Sequence, residues 1–241
     1  MSTKRINVWS SPRNVSTAFM YAFAQRKDIT VVDEPLYAHY LSKTTSNAVH
    51  PMTVEILNQM ENDGQKVVDE IIFGAYDTSI ALFKQMTHHL IELDLKFTEQ
   101  TENVLLIRDP RRIIASYTKI IDNPTIADIG IKMQYDLFQR LKKANKVAAV
   151  VDAKKLLLNP PKVLAQLCQQ LAIPFDANML SWEAGPIKED GVWAKDWYGS
   201  VHQSTGFIPY VEKEVRLEGA LAELAETCQF YYDYLLEYAI G

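Results

Sequence analysis

Short apolar runs recur along the chain at Ile6–Trp9, Ile29–Asp33, Ile80–Lys84, Val104–Ile107 and Ala148–Val151. Each is too short for a helix and is flanked by polar or turn-forming residues, so each predicts a buried strand. Between them the spacing of apolar positions lengthens to three and four. This predicts helices over Ser16–Phe23, Met52–Glu61, Arg112–Ile121, Ile131–Ala144, Lys162–Leu171 and Leu217–Tyr238. The segment Ile131–Ala144 illustrates the pattern, with Ile131, Tyr135, Phe138 and Leu141 on one face. Strands that alternate with helices imply a parallel sheet built from right-handed crossovers, with helices on both faces: an α/β fold of three layers. In such sheets ligands bind beyond the carboxyl ends of the strands, so the residues after each run carry the functional question.

From Asp176 to Glu212 the periodicity dissolves into Gly, Pro and Trp. A long irregular stretch of this kind predicts a lid or binding loop. No repeat, low-complexity tract or Gly/Ser linker interrupts the chain, and the expectation is a single domain over residues 1–241.

Composition narrows the partners. The 241 residues are 48% hydrophobic and 23% charged with a net charge of −5, which excludes a disordered chain and argues against general binding to nucleic acid or anionic membranes. Any polyanion site must be local. The N-terminus has no signal-peptide pattern and no apolar run reaches membrane-spanning length, so a cytoplasmic protein with no membrane partner is expected. Cys168 and Cys228 lie far apart in helical patterns without metal-type spacing. They read as buried free thiols in a reducing compartment, and no metal site is expected.

The local chemistry begins at Val8–Phe19, VWSSPRNVSTAF. A strand breaks into Ser10-Ser11-Pro12-Arg13-Asn14, and Ser16-Thr17 then opens a helix. This aims the backbone N–H groups of Asn14, Val15, Ser16 and Thr17 at one point, where unpaired donors and the helix dipole favour an anion. Two hydroxyls and the charge of Arg13 add to it. The result is a phosphate cradle without glycines, and it lacks both the glycines and the lysine of a Walker loop. A second anion signal follows the fourth strand in IRDPRRIIASY, where Arg108 stands at the strand tip and Ser116 two turns along the next helix.

These motifs resemble those of the sulfotransferases that use 3'-phosphoadenosine 5'-phosphosulfate (PAPS). Pro12-Arg13-Asn14-Val15-Ser16-Thr17 is similar to the family's loop for the 5'-phosphosulfate, with Arg13 where lysine is frequent and Val15 in place of glycine. Arg108-Asp109-Pro110 and Ser116 match the family's 3'-phosphate motif in type and spacing. Asp152, Leu156, Pro160 and Leu171-Ala172-Ile173-Pro174 match a third segment, so the resemblance runs from residue 5 to about 182. It implies a P-loop-like fold with a central parallel sheet. It also implies PAPS as co-substrate, 3',5'-adenosine bisphosphate (PAP) as product, and a small-molecule acceptor bearing a hydroxyl or amine, in a monomer or homodimer. The family's Arg-Lys-Gly motif over the nucleotide is absent, and Ser204-Thr205-Gly206-Phe207 resembles a reduced version, with Trp193 or Trp197 available to stack on adenine.

Sulfuryl transfer needs a cation on the leaving oxygen and a base for the acceptor proton. Arg13 is the candidate cation, helped by Lys84 at the end of the third strand. The candidate bases are Glu34, His39 and the His88-His89 pair. In the family, a histidine after a strand-end lysine or a glutamate after the second strand takes this role. Glu34 is preferred, because crowding with Asp33 raises one carboxyl pKa. A P-loop kinase using ATP and a non-catalytic nucleotide-binding protein of the same fold are the alternatives. Residues 37–69 and 181–210 are expected to line the acceptor pocket.

Overall fold

Strands β1 (Lys4–Ser10), β2 (Ile29–Asp33), β3 (Ile80–Met86), β4 (Glu102–Ile107), β5 (Val147–Asp152) and β6 (Ala239–Ile240) form one sheet of order β2-β3-β1-β4-β5-β6. Every neighbouring pair is parallel. This is seen in a computed structural model that describes residues 3–44, 50–119 and 121–241. The helices are α1 (Ser16–Ala24), α2 (Tyr37–Lys43), α3 (Thr53–Gln59), α4 (Gly64–Lys66), α5 (Pro110–Tyr117) and α6 (Ile126–Ile129). They continue with α7 (Ile131–Lys143), α8 (Ala153–Leu158), α9 (Pro160–Gln170), α10 (Ala194–Trp197), α11 (Gly199–His202) and α12 (Ala220–Leu236).

The continuous apolar runs are explained by burial on both faces of the sheet. Alternate strand residues enter two cores. Ile6, Val8, Leu82, Val104, Leu106 and Val151 pack with α1, α3 and α9 through Phe19, Phe23, Ile56 and Leu167. Trp9, Ala81, Phe83, Leu105, Ile107 and Val150 pack with α5, α7 and α12 through Ile113, Ile114, Phe138 and Leu235. The expected three-layer α/β arrangement is thus present. Cys168 lies in the first core and Cys228 in the second, both as free thiols. Among the described residues no helix is long and apolar enough to cross a membrane.

The differences from expectation have local causes. The helix expected from Arg112 begins at Pro110, because Asp109 accepts a hydrogen bond from the Arg111 N–H at 2.8 Å and proline suits the first turn. It ends at Tyr117 rather than Ile121. Helix α8 has no sequence expectation behind it: Asp152, the last residue of β5, caps it directly by accepting from the Lys155 N–H at 2.9 Å. Helix α2 and the two-residue β6 are likewise too short to leave a periodic signature. The irregular stretch from Asp176 holds the short helices α10 and α11 and a 3-10 turn over Ala177–Leu180.

Candidate active site

The carboxyl ends of β1, β2, β3 and β4 open on a cavity of about 780 Å³. The loop after β1 forms its floor. At Arg13 the backbone takes φ 57°, a region that glycine tolerates and other residues enter at a cost. Two clips hold this turn. The Arg108 guanidinium donates to the Arg13 carbonyl, and Asn14 Nδ2 donates to the Leu106 carbonyl at the tip of β4, 2.8 Å away. Asn14 Oδ1 also accepts from the Val15 N–H at 2.8 Å. Asn14 is therefore a tether whose side chain faces the protein, and the Val15 donor is already engaged. The unpaired donors of the first helical turn fall to Ser16, Thr17 and Ala18, which all line the cavity.

The second anion motif meets the first. Arg13 Nε donates to Ser116 Oγ at 3.0 Å, so residues 103 apart in sequence share one wall. Arg108 lines the same wall, and burial lowers its pKa, with the charges of Arg112 and Arg13 adding to the effect. Cations crowd this end more than carboxylates do. Ser204 and Gly206 also line the cavity. The backbone carbonyl of Thr205 accepts from the Trp182 N–H at 3.1 Å, and Thr205 does not reach the cavity wall. Trp193 borders the cavity but is largely buried, edge-on to Tyr37 at 5.0 Å, with its Nε1 donating to the Tyr198 hydroxyl at 3.0 Å. Trp197 keeps a place on the cavity wall.

Across the cavity lies a buried ionic group. Lys84 Nζ donates to Asp33 Oδ1 at 2.8 Å, Glu34 Oε1 at 2.5 Å and the Tyr198 hydroxyl at 2.6 Å. Its side chain is 1% exposed. Burial alone would lower the Lys84 pKa, but the two carboxylates outweigh it and hold it above its ordinary value. Lys84, expected to help Arg13 at the leaving oxygen, instead has its charge engaged by Asp33 and Glu34. The two carboxylates are not equivalent. Asp33 accepts from Lys84, from the Tyr198 hydroxyl at 2.7 Å and from the Gly191 N–H at 3.2 Å. Among these partners Glu34 has Lys84 alone, and burial, then the charge of Asp33, push its pKa up. Tyr198 and Asp33 carry no sequence motif; only an aspartate beside Glu34 and a tyrosine within the irregular stretch could have hinted at them.

The histidines separate by environment. His39 lies outside the cavity lining. Its Nδ1 accepts from the Gly64 N–H at 3.1 Å and its Nε2 donates to the Ile91 carbonyl at 2.8 Å, so both ring nitrogens fasten α2 to its surroundings. His88 and His89 line the cavity with His50 and Tyr37. Burial lowers the His88 pKa to about 4, with the nearby His50 contributing. The His89 ring stacks between Tyr37 at 5.0 Å and Tyr40 at 4.8 Å, and burial drives its pKa well below the ordinary value. Both rings are neutral near neutral pH, which makes them weak proton acceptors beside Glu34.

Comparison with known proteins follows the same lines. Residues 4–225 match the sulfotransferase domain family. The branched-chain-amino-acid aminotransferase-like proteins 1 and 2 of Arabidopsis thaliana are each 41% identical over 203 residues, which cover 84% of this chain. The chain spans only 36% of the length of these curated relatives. Among solved structures, a sulfotransferase from Alicyclobacillus acidocaldarius aligns with a TM-score of 0.57 at 12% identity, covering 100% of this chain and 98% of that one. The sulfotransferase domain of the curacin biosynthetic pathway aligns with a TM-score of 0.55 at 15% identity, covering 99% of each chain. The corresponding domain of the Synechococcus PCC 7002 olefin synthase gives 0.53 at 18% identity, covering 100% and 98%. At these identities the likeness to solved structures is one of fold.

Proposed function

The chain belongs to the sulfotransferase domain family, and we propose that it transfers a sulfuryl group from PAPS to a hydroxyl or amine of a small-molecule acceptor, its 241 residues acting as one domain. One observation carries this reading: Arg13, Arg108 and Ser116 converge with the first turn of α1 at one end of a cavity whose other end holds a buried carboxylate of raised pKa. The donor set suits a nucleotide carrying anionic groups at both ends, because cations outnumber carboxylates on that wall. PAPS, when bound, supplies the electrophilic sulfuryl group and a phosphate leaving group.

The chain's own residues do the remainder. Arg108 and Ser116 would grip the 3'-phosphate. The N–H groups of Ser16, Thr17 and Ala18 and the hydroxyls of Ser16 and Thr17 would hold the phosphosulfate, with Arg13 placing a permanent charge near the leaving oxygen. Arginine keeps that charge through the reaction but gives up no proton, so the acceptor's proton goes to a base. Glu34 is that base: its raised pKa brings it towards the working pH, where general-base catalysis is most effective. Lys84 orients the Glu34 carboxylate, and His88 contributes a neutral ring to the acceptor side. Positioning and charge stabilisation then supply most of the rate, as in phosphoryl transfer.

Calorimetric titration with PAP, alongside ATP and the Arg108→Ala variant, tests this reading. Loss of a charge-assisted contact should weaken PAP binding about ten- to a hundredfold. Absence of PAP binding, or equal affinity for ATP, would overturn it.

A further inference from the structure

We propose that Arg112 and Lys154 form an additional phosphate-binding pair on the 3' side of the nucleotide, and that Glu212 occupies this pair as a resident counter-anion displaced on binding. The inference rests on the PAPS reading above. It concerns residues that neither recognised motif specifies.

Arg112 stands four residues after Arg108 and four before Ser116, so the three share the line that runs from the tip of β4 along α5. Lys154 comes from a separate element, the first turn of α8 just past β5. All four residues line the one cavity. Arg112 and Lys154 close on the same carboxylate: Arg112 Nη2 lies 2.6 Å from Glu212 Oε1, and Lys154 Nζ lies 2.8 Å from Glu212 Oε2. Tyr210 completes the arrangement. Its hydroxyl donates to Glu212 Oε1 at 3.1 Å, and its ring centroid lies 4.7 Å from the Arg112 guanidinium carbon and 5.1 Å from the Lys154 ammonium.

The two partners differ in how firmly they are built in. The cations sit on helices rooted at the sheet, and the Arg112 side chain is only 14% exposed. Glu212 is 67% exposed and lies in residues 207–218, which have no regular secondary structure. The carboxylate is the movable member. It is also a poor match for the charge it meets. Arg13, Arg108 and Arg112 face the cavity together, and the Asp109 carboxylate is committed to the Arg111 N–H at the start of α5. One carboxylate shared by two cations leaves this end positive. A phosphate monoester, with up to two charges and three oxygens, satisfies the same donors more fully. Glu212 and Lys154 are 67% and 48% exposed, and an exposed ion pair contributes little by itself, so giving up that contact for phosphate costs little.

A fixed fastening would leave the same contacts in place but predicts the opposite response. If Glu212 only anchors its segment as a cover, its removal weakens nucleotide binding; if it competes, its removal strengthens it.

The test is calorimetry of the full chain with PAP and with adenosine 5'-monophosphate, which lacks the 3'-phosphate. Glu212→Gln should bind PAP roughly two- to twentyfold more tightly, with no gain for the monophosphate. Arg112→Ala and Lys154→Ala should each weaken PAP binding, and adding Arg112→Ala to Glu212→Gln should cancel most of the gain. Equal or weaker PAP binding by Glu212→Gln, or the same gain for both nucleotides, overturns the inference while leaving the PAPS reading intact. Wild-type protein that fails to bind PAP overturns the reading itself.

Discussion

Replacement of Lys84 by methionine removes the cation from a buried group and keeps most of its volume. Lys84 Nζ has Asp33 at 2.8 Å and Glu34 at 2.5 Å, and all three side chains are at most 7% exposed. Breaking a buried ion pair by deleting one partner costs about 3–5 kcal/mol, because the remaining charge is left without compensation. For a chain of this size each kcal/mol lowers Tm by about 2–4 °C, so Lys84→Met should unfold roughly 6–20 °C earlier near neutral pH. The loss should depend on pH in a stated direction. Burial and Asp33 already hold the Glu34 pKa above its ordinary value, and removal of Lys84 raises it further. A carboxyl whose folded pKa exceeds its unfolded one contributes stability below the unfolded value and loses it as pH rises through the folded value. The destabilisation should therefore be smallest near about pH 5 and largest near about pH 8. Urea unfolding followed by tryptophan fluorescence at both conditions measures it. The combined Lys84→Met, Asp33→Asn, Glu34→Gln variant, with no buried charge left unpaired, should recover most of the loss. A Lys84→Met cost below about 1 kcal/mol, or one independent of pH, would refute the account of this group as a mutually dependent charge cluster.

Two other outcomes follow from the geometry. Asn14→Ala should cut both the bond to the Leu106 carbonyl and the cap on Val15, costing about 1–3 kcal/mol and weakening PAP binding by loosening the turn; thermal unfolding and calorimetry read the two effects. In imidazole NMR titrations, His88 should change protonation near pH 4, and neither His88 nor His89 should titrate between about pH 6 and 8; a titration in that interval would restore His88 as a rival to Glu34 for the proton.

The sheet was legible because burial on both faces writes itself as uninterrupted apolar runs, and all five such runs became strands. That Arg13, Ser16, Arg108 and Ser116 border one cavity was legible because strand tip, turn and helix start are contiguous in the chain at both strand ends. The ionic group at the other end was not. Asp33 lies 51 residues from Lys84 and Tyr198 lies 114 residues away, and no local pattern records that the irregular stretch folds back to reach β3. Lys84 consequently reads as a helper to Arg13, with its two carboxylate partners unseen. His39 misled for the opposite reason: a histidine one turn past a strand end looks catalytic, while its two fastening bonds are to distant backbone. The tethering role of the Asn14 side chain carries no signature either, because its partner, the Leu106 carbonyl, lies 92 residues away.

On the proposed reading, the turn at Arg13 sets stability and function against each other at one codon. Glycine would adopt φ 57° without the roughly 1–2 kcal/mol that an L side chain spends there, so a thermostability screen of random variants would favour Arg13→Gly. The same change would erase the guanidinium that reaches Ser116. If Arg13 holds the charge at the leaving oxygen as proposed, libraries selected for stability would enrich for inactive clones at this position.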